Sequence, residues 1–524
     1  MRYYLLTLLT ITSLSLNAQS VAKQIQNAKG EISRNNYRGA IKILEPVVDI
    51  SSNNKEAVML TGFCYLNIGG EEEKAWRYLE KAAALNPLGE KPSLEALETH
   101  FYLAESLHQN NRFEQAIAIY EKLLTLTKSS QKKLTDAIHI EMQYSKNAIE
   151  MVKKPRDFKI YPLGNAINTI YEEHSPLVAL DESTIYFTSN RPVDGIESEN
   201  GEYFENIYVS YWREGKWTDA QLLELPGDYF GNRATVSLST DGNTLIIYQN
   251  DGYAGSLFVT QYSFRGWSEP VPLPVNSSNF NETHACFSAD GTEIWFSSDR
   301  PGGMGGKDIY VSYQLPDGRW GEAINAGANV NTEMDDDSPF LSADGTRLFY
   351  SSEGGNSMGG FDIFVNAGRE EDGSWLKGEN IGYPVNTAND DVFYLPTPDG
   401  QRVYYSSRRM GGVGESDIYV IVYPDEDARA LSAVAGYVFN PDEKPNDNAV
   451  IKVTDSDGAQ HGIYRPNPLT GKFVAILPTG VDYKFEVEAE GFKPHTVAVP
   501  VPLNDVYGTR QRATYIPNII LENQ

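Results

Sequence analysis

Cysteine is nearly absent from this chain, since only Cys64 and Cys286 occur in 524 residues. Each lies among apolar neighbours, in GFCYL and HACFS, and the two fall in segments that we assign to different domains. This pattern predicts two buried free thiols rather than a disulfide bridge. The scarcity of cysteine does not exclude export, because large domains with good cores are stable without disulfides.

Long hydrophobic runs are also missing. The first run extends from Leu5 to Leu16 after a single arginine, Arg2, and it is too short for a permanent transmembrane helix. It is typical of an export signal, so we predict a signal peptide over 1–18 with cleavage after Ala18. No cysteine follows the run directly, so a lipoprotein anchor is not expected, and the mature protein should be exported and soluble.

Basic residues are few, with 44 Lys and Arg against 71 Asp and Glu, a formal net charge of −27 and a pI near 4.7. Such a charge argues against a nucleic-acid backbone or an anionic membrane surface as the partner. Aromatic residues are plentiful, with 32 Tyr and 21 Phe, and they favour β structure.

Residues 19–154 are predicted to be helical, because apolar residues recur at three- and four-residue spacing in YRGAIKILEPVV, KAWRYLEKAAALNP and RFEQAIAIYEKLLTL. The three segments resemble one another, and each has a small alanine where paired helices would cross closely: Ala40, Ala75 and Ala116. Their spacing is close to the tetratricopeptide period of about 34 residues. The region resembles three such repeats and a final helix over 131–153, an array that usually holds another protein.

From 158 to 424 the pattern changes to short aromatic-rich strands separated by turns, as in SADGTEIWFSSDR followed by DIYVSYQ. The unit recurs every 50–60 residues or so, which is the size of a four-stranded propeller blade, and Asp-Gly suits the tight turn between its strands. The count predicts five blades, with six as the alternative if one blade has diverged. The first aspartates of the turns are Asp181, Asp241, Asp290, Asp344 and Asp399.

Closure of the propeller is also predicted. A segment led by Trp follows the last strand of each of the first four units, whereas the fifth unit has no such successor. The segment FKIYPLGNAINT, which precedes the first unit, matches the Trp-led segments without their Trp. We therefore expect it to supply the outer strand of the last blade, which leaves no free sheet edge.

A third region, 431–502, reads as a small sandwich of alternating strands. It resembles the carboxypeptidase regulatory-like domain, a non-catalytic, transthyretin-like sandwich, in a pattern carried by Gly436, Pro445, Ala449, Gly471, Phe473, Tyr483, Gly491 and Phe492. The tail, 503–524, is expected to contain one last strand. The predicted fold class is thus multi-domain α + β.

Two glycine-rich loops resemble catalytic motifs. In 302–307, GGMGGK, Pro301 stands where a P-loop needs its first glycine, and a strand follows in place of a helix. Residues 355–359 match G-x-S-x-G, but they also lie between two strands, and no histidine has a recognisable acidic partner. We expect neither nucleotide binding nor a hydrolase, which would depend on Ser357.

Aspartate recurs at the start of one strand in three units, at Asp308, Asp362 and Asp417, and Asn206 and Ser256 take that place in the other two. We predict that these side chains accept hydrogen bonds from the amides of the preceding glycine-rich turn. A calcium or ligand role at the propeller mouth is the alternative. No catalytic, cofactor-binding or metal-binding residue is assigned.

The linkers between units carry a second recurring pattern, (V/I)NT, at Asn168, Asn331 and Asn386, with a near copy at Asn276. Its repetition argues for a structural role, because a single binding site would need asymmetry. The acidic runs 334–338, MDDDS, and 389–392, NDDV, are predicted to be solvated loops, with weak calcium binding as the alternative.

Repeats of the form SxDGxxLYFSSDRPGGxGGxDIYVS resemble the WD40-like, TolB-type propellers of the bacterial envelope. The order of export signal, tetratricopeptide repeats, propeller and regulatory-like domain resembles the multi-domain, PorE-like envelope proteins of the OmpA family in Bacteroidetes, some of which belong to the type IX secretion system. Those proteins continue into a peptidoglycan-binding OmpA-like domain. Since this chain is expected to lack that domain, a position held by a partner is expected.

The resemblance implies a non-enzymatic scaffold in the periplasm, associated with the outer membrane or at the cell surface, that needs no cofactor. Its expected partners are envelope proteins, in type IX secretion or gliding. The alternative function is a propeller module that binds a glycan or a peptide.

Overall fold

The computed structural model describes most of the chain after the predicted signal peptide. Two of the predicted turn residues, Asp290 and Asp399, and the predicted signal peptide, 1–18, lie outside the described residues. Within the described part, no helix is long and apolar enough to cross a membrane. The described residues are 20–193, 195–198, 201–250, 255–263, 265–289, 291–398, 400–423, 431–446, 448–468, 470–502 and 514–524.

The helices precede the first strand, and from α2 onward each packs against the next. Contacts also join α3 to α5 and α5 to α7, so these helices form one layer of the array. The helices are α1 (20–32), α2 (Tyr37–Ile50), α3 (Lys55–Leu66), α4 (Glu72–Leu85), α5 (Leu94–Gln109), α6 (Phe113–Leu126) and α7 (Lys132–Val152).

Small residues allow the helices to approach closely. The three predicted alanines, Ala40, Ala75 and Ala116, are fully buried in the core of the array. A Cβ atom on Gly62 of α3 would lie 2.7 Å from Cγ of Leu79 in α4, so this crossing requires glycine. The prediction of a helical array with small residues at its crossings is confirmed.

The strands between residues 159 and 422 form five sheets in the described part of the chain, and we call each of these sheets a blade. Blade 1 contains β2 (Glu173–Val178), β3 (Thr184–Ser189), β4 (Asn206–Arg213), β5 (Lys216–Trp217) and β6 (Gln221–Leu222). Blade 2 contains β7 (Asn232–Leu238), β8 (Thr244–Asn250), β9 (Gly255–Ser263), β10 (Gly266–Trp267) and β11 (Val271–Pro272).

The other three blades have four strands each. Blade 3 contains β12 (Glu282–Phe287), β13 (Glu293–Ser298), β14 (Asp308–Tyr313) and β15 (Ile324–Asn325). Blade 4 contains β16 (Asp336–Leu341), β17 (Leu348–Ser352), β18 (Asp362–Asn366) and β19 (Glu379–Asn380). Blade 5 contains β20 (Asp391–Pro396), β21 (Arg402–Ser407), β22 (Asp417–Val422) and β1 (Lys159–Pro162).

The blades form a closed ring. The first strand of each blade contacts the first strand of the next, and β20 of blade 5 contacts β2 of blade 1. Strand β1, from the N-terminal side of the ring, pairs antiparallel with β22 in the register Lys159↔Val422 to Pro162↔Tyr419. The predicted closure is thereby confirmed, and it leaves the third strand of the last blade paired on both sides.

The C-terminal strands form two further sheets that share one apolar core, with Val434 and Phe473 from one sheet against Ile451 and Phe485 from the other. The predicted last strand of the tail is present as two short strands, Thr514–Tyr515 and Ile519–Ile520, which pair parallel to the strand Leu431–Phe439. The strands are β23 (Leu431–Phe439), β24 (Val450–Asp455), β25 (Gln460–Tyr464), β26 (Lys472–Pro478), β27 (Val481–Glu488), β28 (His495–Val501), β29 (Thr514–Tyr515) and β30 (Ile519–Ile520). We call 431–524 the C-terminal unit.

The recurring (V/I)NT linker joins one blade to the next. In the linker between blades 3 and 4, the Asn331 amide donates to the carbonyl of Ile309 at 2.9 Å and accepts from its N–H at 2.8 Å. The next residue, Thr332, donates its N–H and hydroxyl to the carboxylate of Asp336 in blade 4. The asparagine thus binds the preceding blade and the threonine binds the following one.

Three more joints repeat this arrangement. The paired asparagine and main-chain partners are Asn168 with Ile418, Asn276 with Leu257, and Asn386 with Ile363. The carboxylates on the following blades are Glu173, Glu282 and Asp391, which accept from Thr169, Ser277 and Thr387. The joint between blades 1 and 2 differs, because Gly227, Asp228 and Tyr229 stand in the linker positions and Asp228 is exposed.

Asn331→Ala should lower the free energy of unfolding by about 1–3 kcal/mol, because it leaves the buried N–H of Ile309 without a partner and removes one of the two hydrogen bonds to its C=O, which keeps the bond from Ala326 N–H. Asp228→Ala, at the matching position of the exceptional joint, is the control and should change it by less than about 0.5 kcal/mol. Urea unfolding followed by tryptophan fluorescence measures both. Equal effects of the two substitutions would show that the asparagine does not hold the joint.

Candidate functional site

The helical array stands on one end of the ring. Gly69, in the turn between α3 and α4, lies against the main chain of Glu415, where a Cβ atom would be 2.1 Å from the carbonyl oxygen. From the first turn of α2, Arg38 Nε donates to the Glu415 carboxylate at 2.8 Å. From α7, the hydroxyl of Tyr144 donates to the carbonyl of Glu353 at 2.7 Å.

The glycine-rich loops of blades 4 and 5 are therefore the support on which the helices rest. Asn147 of α7 donates to the carbonyl of Ser357, and the Met358 side chain packs with Phe113 and Ala148. The Ser357 hydroxyl is buried and donates to the carbonyls of Ser352 and Gly354, each at 2.8 Å. These contacts give Ser357 a structural role and leave it inaccessible to a substrate.

The predicted aspartates lie at the first position of β14, β18 and β22. Asp308 accepts from the amides of Met304 and Gly305 at 2.6 and 2.9 Å. Asp362 accepts from Met358 N–H at 2.8 Å, and Asp417 from the N–H groups of Val413 and Gly414. The counterpart in blade 1, Asn206, instead donates to the carbonyl of Phe204.

The C-terminal unit contacts the opposite end of the ring, where the turns between first and second strands lie. Asp181 accepts from Lys472 Nζ at 3.1 Å and from the Tyr515 hydroxyl at 2.7 Å. Burial raises the pKa of Asp181, but Lys472 and the hydrogen bonds outweigh it and hold the pKa below its ordinary value. Asp241 accepts from Asn467 at 3.2 Å, and Asp344 accepts from the hydroxyls of Ser342 and Thr346 in its own turn.

An acidic cleft lies between the helical array and the ring, at a cavity of about 350 Å³. It is lined by Glu105 of α5, Glu141 of α7 and Glu353 of blade 4. Burial and the charge of Glu141 raise the pKa of Glu105 to about 8. Burial, reinforced by neighbouring carboxylates, raises the pKa values of Glu141 and Glu353 to about 7.

One arginine lines this cleft in the described part of the chain. Arg408 already pairs with Glu172 at 3.0 Å and with Asp390 at 3.7 Å. His108, also in the lining, has its pKa lowered to about 4 by burial, which keeps the imidazole neutral. The acidic cleft thus holds more carboxyl groups than its one arginine among the described residues can pair with.

A polar layer crosses the inside of the ring. The Asp337 carboxylate accepts from Lys307 Nζ at 3.0 Å and lies 2.7 Å from His284 Nδ1. Burial would raise the pKa of Asp337, but His284 and Lys307 outweigh it and lower the pKa. The Phe393 ring lies 4.8 Å from the His284 ring and 5.7 Å from the His174 ring, so side chains of four blades meet here.

Beyond this layer, the first strands enclose a mainly apolar cavity of about 100 Å³. Its lining includes Pro176, Val236, Phe287, Leu341 and Leu395, one from each blade. Cys286 also borders it, and burial raises the pKa of its thiol to about 12. Both Cys64 and Cys286 are buried and free, which confirms the prediction made for them.

The prediction of solvated loops at the acidic runs is wrong. Asp336 and Asp391 are fully buried at the joints, and Asp337 belongs to the polar layer. The sequence does not distinguish these residues from surface acids: Asp336 and Asp391 bind the threonine four residues before them, and the partners of Asp337 come from blade 3. Within the described residues, no group of three or more His, Cys, Asp or Glu is placed to hold a metal ion.

Sequence reasoning missed the acidic cleft and the polar layer. Glu105, Glu141 and Glu353 come from three separate elements, and nothing in their local sequence relates them. For the polar layer a signal was present, because His284 and Phe393 are unusual residues within the bulges of otherwise similar first strands, and His174 lies directly before such a bulge.

Glu105→Gln should make the protein more stable than the wild type at pH 8.5 and should flatten the fall in Tm between pH 6 and 9. The raised pKa means that the folded state holds the proton more tightly, so stability is present below the ordinary value of about 4.5 and is lost as the pH rises through 7–8. The exposed Glu114→Gln is the control. A pH profile that is identical for wild type and Glu105→Gln in calorimetry would contradict this assignment.

The chain is similar to several solved structures that include TolB-like propellers. For the crystal structure of TolB from Acinetobacter baumannii the identity is 16% and the TM-score 0.32, over 49% of this chain and 56% of that one. For putative TolB from Agrobacterium tumefaciens the identity is 15% and the TM-score 0.31, over 62% of this chain and 98% of that one. For the tricorn protease the identity is 14% and the TM-score 0.32, over 64% of this chain and 28% of that one.

No family model matches the sequence, and no curated protein matches it. The chain spans little more than half the length of the first TolB structure. At these identities and TM-scores the likenesses carry no functional argument, and the ring of blades is defined by its own strand pairing and contacts.

Proposed function

We propose that this protein is a non-enzymatic scaffold of the cell envelope that holds other envelope proteins. In this proposal it acts in the periplasm, in association with the outer membrane, and type IX secretion or gliding is the setting in which its partners are to be sought. The helical array serves as a tetratricopeptide-like holder, the ring as a five-bladed propeller, and the C-terminal unit as a transthyretin-like, regulatory-like module.

The observation that carries this proposal is the attachment of two different modules to opposite ends of the ring. The helices rest on loops between second and third strands, and the C-terminal unit contacts turns between first and second strands. In antiparallel blades these connections lie at opposite ends. A partner bound to the helices would thus be held at a set distance from anything bound to the C-terminal unit.

The layer of α3, α5 and α7 supplies a surface for such a partner. The rings of Phe63 and Tyr102 lie 4.8 Å apart, with Tyr37 6.0 Å from Phe63, and all three are only partly buried. The aromatic group continues towards the acidic cleft, since burial and then the charges of Glu98 and Glu105 raise the pKa of Tyr102 to about 12. Aromatic rings beside carboxylates favour a segment with apolar and basic side chains.

The alternative function, a propeller module that binds a glycan or a peptide, is favoured by the apolar cavity within the ring. A small ligand there would stabilise the folded protein by about 2.7 kcal/mol at one hundred times its dissociation constant. A thermal-shift screen of glycans and short peptides therefore separates this function from the scaffold.

The double substitution Phe63→Ala with Tyr102→Ala should reduce capture of the specific partner by about tenfold or more, since interface aromatics are typical hot spots. The measurement is affinity capture from gently solubilised envelopes with quantitative mass spectrometry. The control is Glu73→Ala with Arg77→Ala, an exposed ion pair on α4 outside the layer. Unchanged recovery by the aromatic variant would refute the holding role of this layer.

A further inference from the structure

One repeat position of the ring carries the opposite charge in a single blade. Where the other blades have a fully buried carboxylate at the start of the first strand, blade 2 has Arg233. Strand pairing establishes the equivalence, because the carboxylates pair with Ser189, Ser298, Ser352 and Ser407, whereas Arg233 pairs with Gln249. The main chain agrees, since Arg233 N–H donates to the carbonyl of Glu205 just as Asp336 N–H donates to that of Lys307.

The linker that leads to Arg233 also differs from the (V/I)NT linkers of the other joints. Tyr229 precedes Arg233 by four residues, as Thr332 precedes Asp336, so Tyr229 stands in the threonine position. A Cβ atom on Gly231, which has φ of 145°, would lie 2.7 Å from the carbonyl oxygen of Asn250. The linker between blades 1 and 2 is therefore a differently shaped turn rather than a degraded copy of the others.

Arg233 has no anionic partner among the described residues. Its guanidinium lies over the Tyr229 ring at 4.7 Å from the centroid, and its Nε is buried without a hydrogen bond. Burial lowers its pKa. By contrast, Arg191 and Arg300 in neighbouring blades bond to Glu173 and Glu282 at 3.0 and 2.9 Å. A half-buried guanidinium without a carboxylate is costly, and here it occurs in a chain of net charge −27.

An exposed aromatic side chain stands three residues before this arginine. Phe230 follows Tyr229 directly and is 69% exposed, although it is a large apolar residue. Its described ring contact is with Phe204 of blade 1, with centroids 4.8 Å apart in an edge-to-face arrangement. Aromatic residues and arginine are the types enriched at the centres of protein interfaces.

We propose that Arg233, Phe230 and Phe204 form a docking site for a protein segment that presents a carboxylate beside an apolar side chain. The carboxylate pairs with the guanidinium, and the apolar side chain covers the two phenylalanine rings. Charge complementarity selects this partner, because the position that holds a carboxylate in four joints holds an unpaired cation here. The site rests on the proposed scaffold function and locates one partner contact on the ring, at the end that carries the helical array, where Gly201 of the same blade 1 loop lies against Asn36.

The first test compares two arginines and needs no partner. Arg233→Met should leave Tm unchanged or higher, because it removes an unpaired, partly buried charge. Arg300→Met should lower Tm by several degrees, because Glu282 is then buried without its cation. A comparable fall for Arg233→Met would show that this arginine serves the fold, and would overturn the proposal.

The second test measures peptide binding to the full chain. The probes are acetylated and amidated hexapeptides with a central Phe-Glu or Phe-Asp pair, and matched peptides with Phe-Gln or Phe-Asn, in ligand-observed NMR titrations. We expect binding of the acidic peptides to be about tenfold tighter than that of the amides, and to weaken about tenfold in Arg233→Gln. Phe230→Ala should weaken it, and the exposed control Arg319→Gln should not.

Other outcomes overturn the site. These are equal binding of acidic and amide peptides, full binding by Arg233→Gln, no peptide binding at all, or binding of a uronic-acid oligosaccharide alone.

Envelope capture with Arg233→Gln tests the docking site separately from the scaffold function. If the intact protein captures a specific partner and Arg233→Gln captures it equally, the docking site fails and the scaffold stands. If the intact protein captures no specific partner, the scaffold itself fails.

Discussion

The joint between neighbouring blades is the interaction on which the rest of the structure depends. Each repeated linker uses an asparagine amide to satisfy a main-chain N–H and C=O of the preceding blade, and a threonine or serine to bind a carboxylate of the following one. The four carboxylates are fully buried, as are three of the four asparagines, so none of these groups can be left without a partner at low cost. The spacing between blades is thereby determined by hydrogen bonds as well as by apolar packing, and Asn168 extends the same joint across the closure of the ring.

Because the joints hold neighbouring blades together, the two ends of the ring can serve as separate platforms. At one end the glycine-rich loops allow main chain to approach main chain, as at Gly69 and Glu415, which is how short helical turns can rest on a sheet edge. At the other end, turn aspartates such as Asp181 bind side chains of the C-terminal unit. The exceptional joint at Arg233 departs from the repeat without interrupting the ring, so it is free to carry a specific contact.

Much of this architecture could be predicted because the chain repeats itself. Five similar turn-and-strand units predict blades, and a Trp-less copy of the outer segment predicts the closure by β1. The position of Asp308 at the end of a glycine-rich turn predicts bonds to nearby amides, which are local in sequence. The acidic runs were predicted wrongly, because composition suggests solvent exposure whereas Asp336 is buried by a neighbouring blade. The acidic cleft could not be predicted, since Glu105 and Glu353 lie far apart in the chain.

The sequence by itself determined the order of modules, the blade unit, the closing strand and the turns held by aspartates, because periodicity and local hydrogen bonding depend on near neighbours in the chain. Only the tertiary structure decided which end of the ring holds the helices, which carboxylates share the acidic cleft, and that Arg233 has no carboxylate partner among the described residues. Burial and ion pairing arise where separate units pack together, and residues such as Asp181 and Lys472 meet across nearly three hundred positions of sequence. Their charge states and pKa values depend on that packing, so they cannot be predicted from the residues next to them in the sequence.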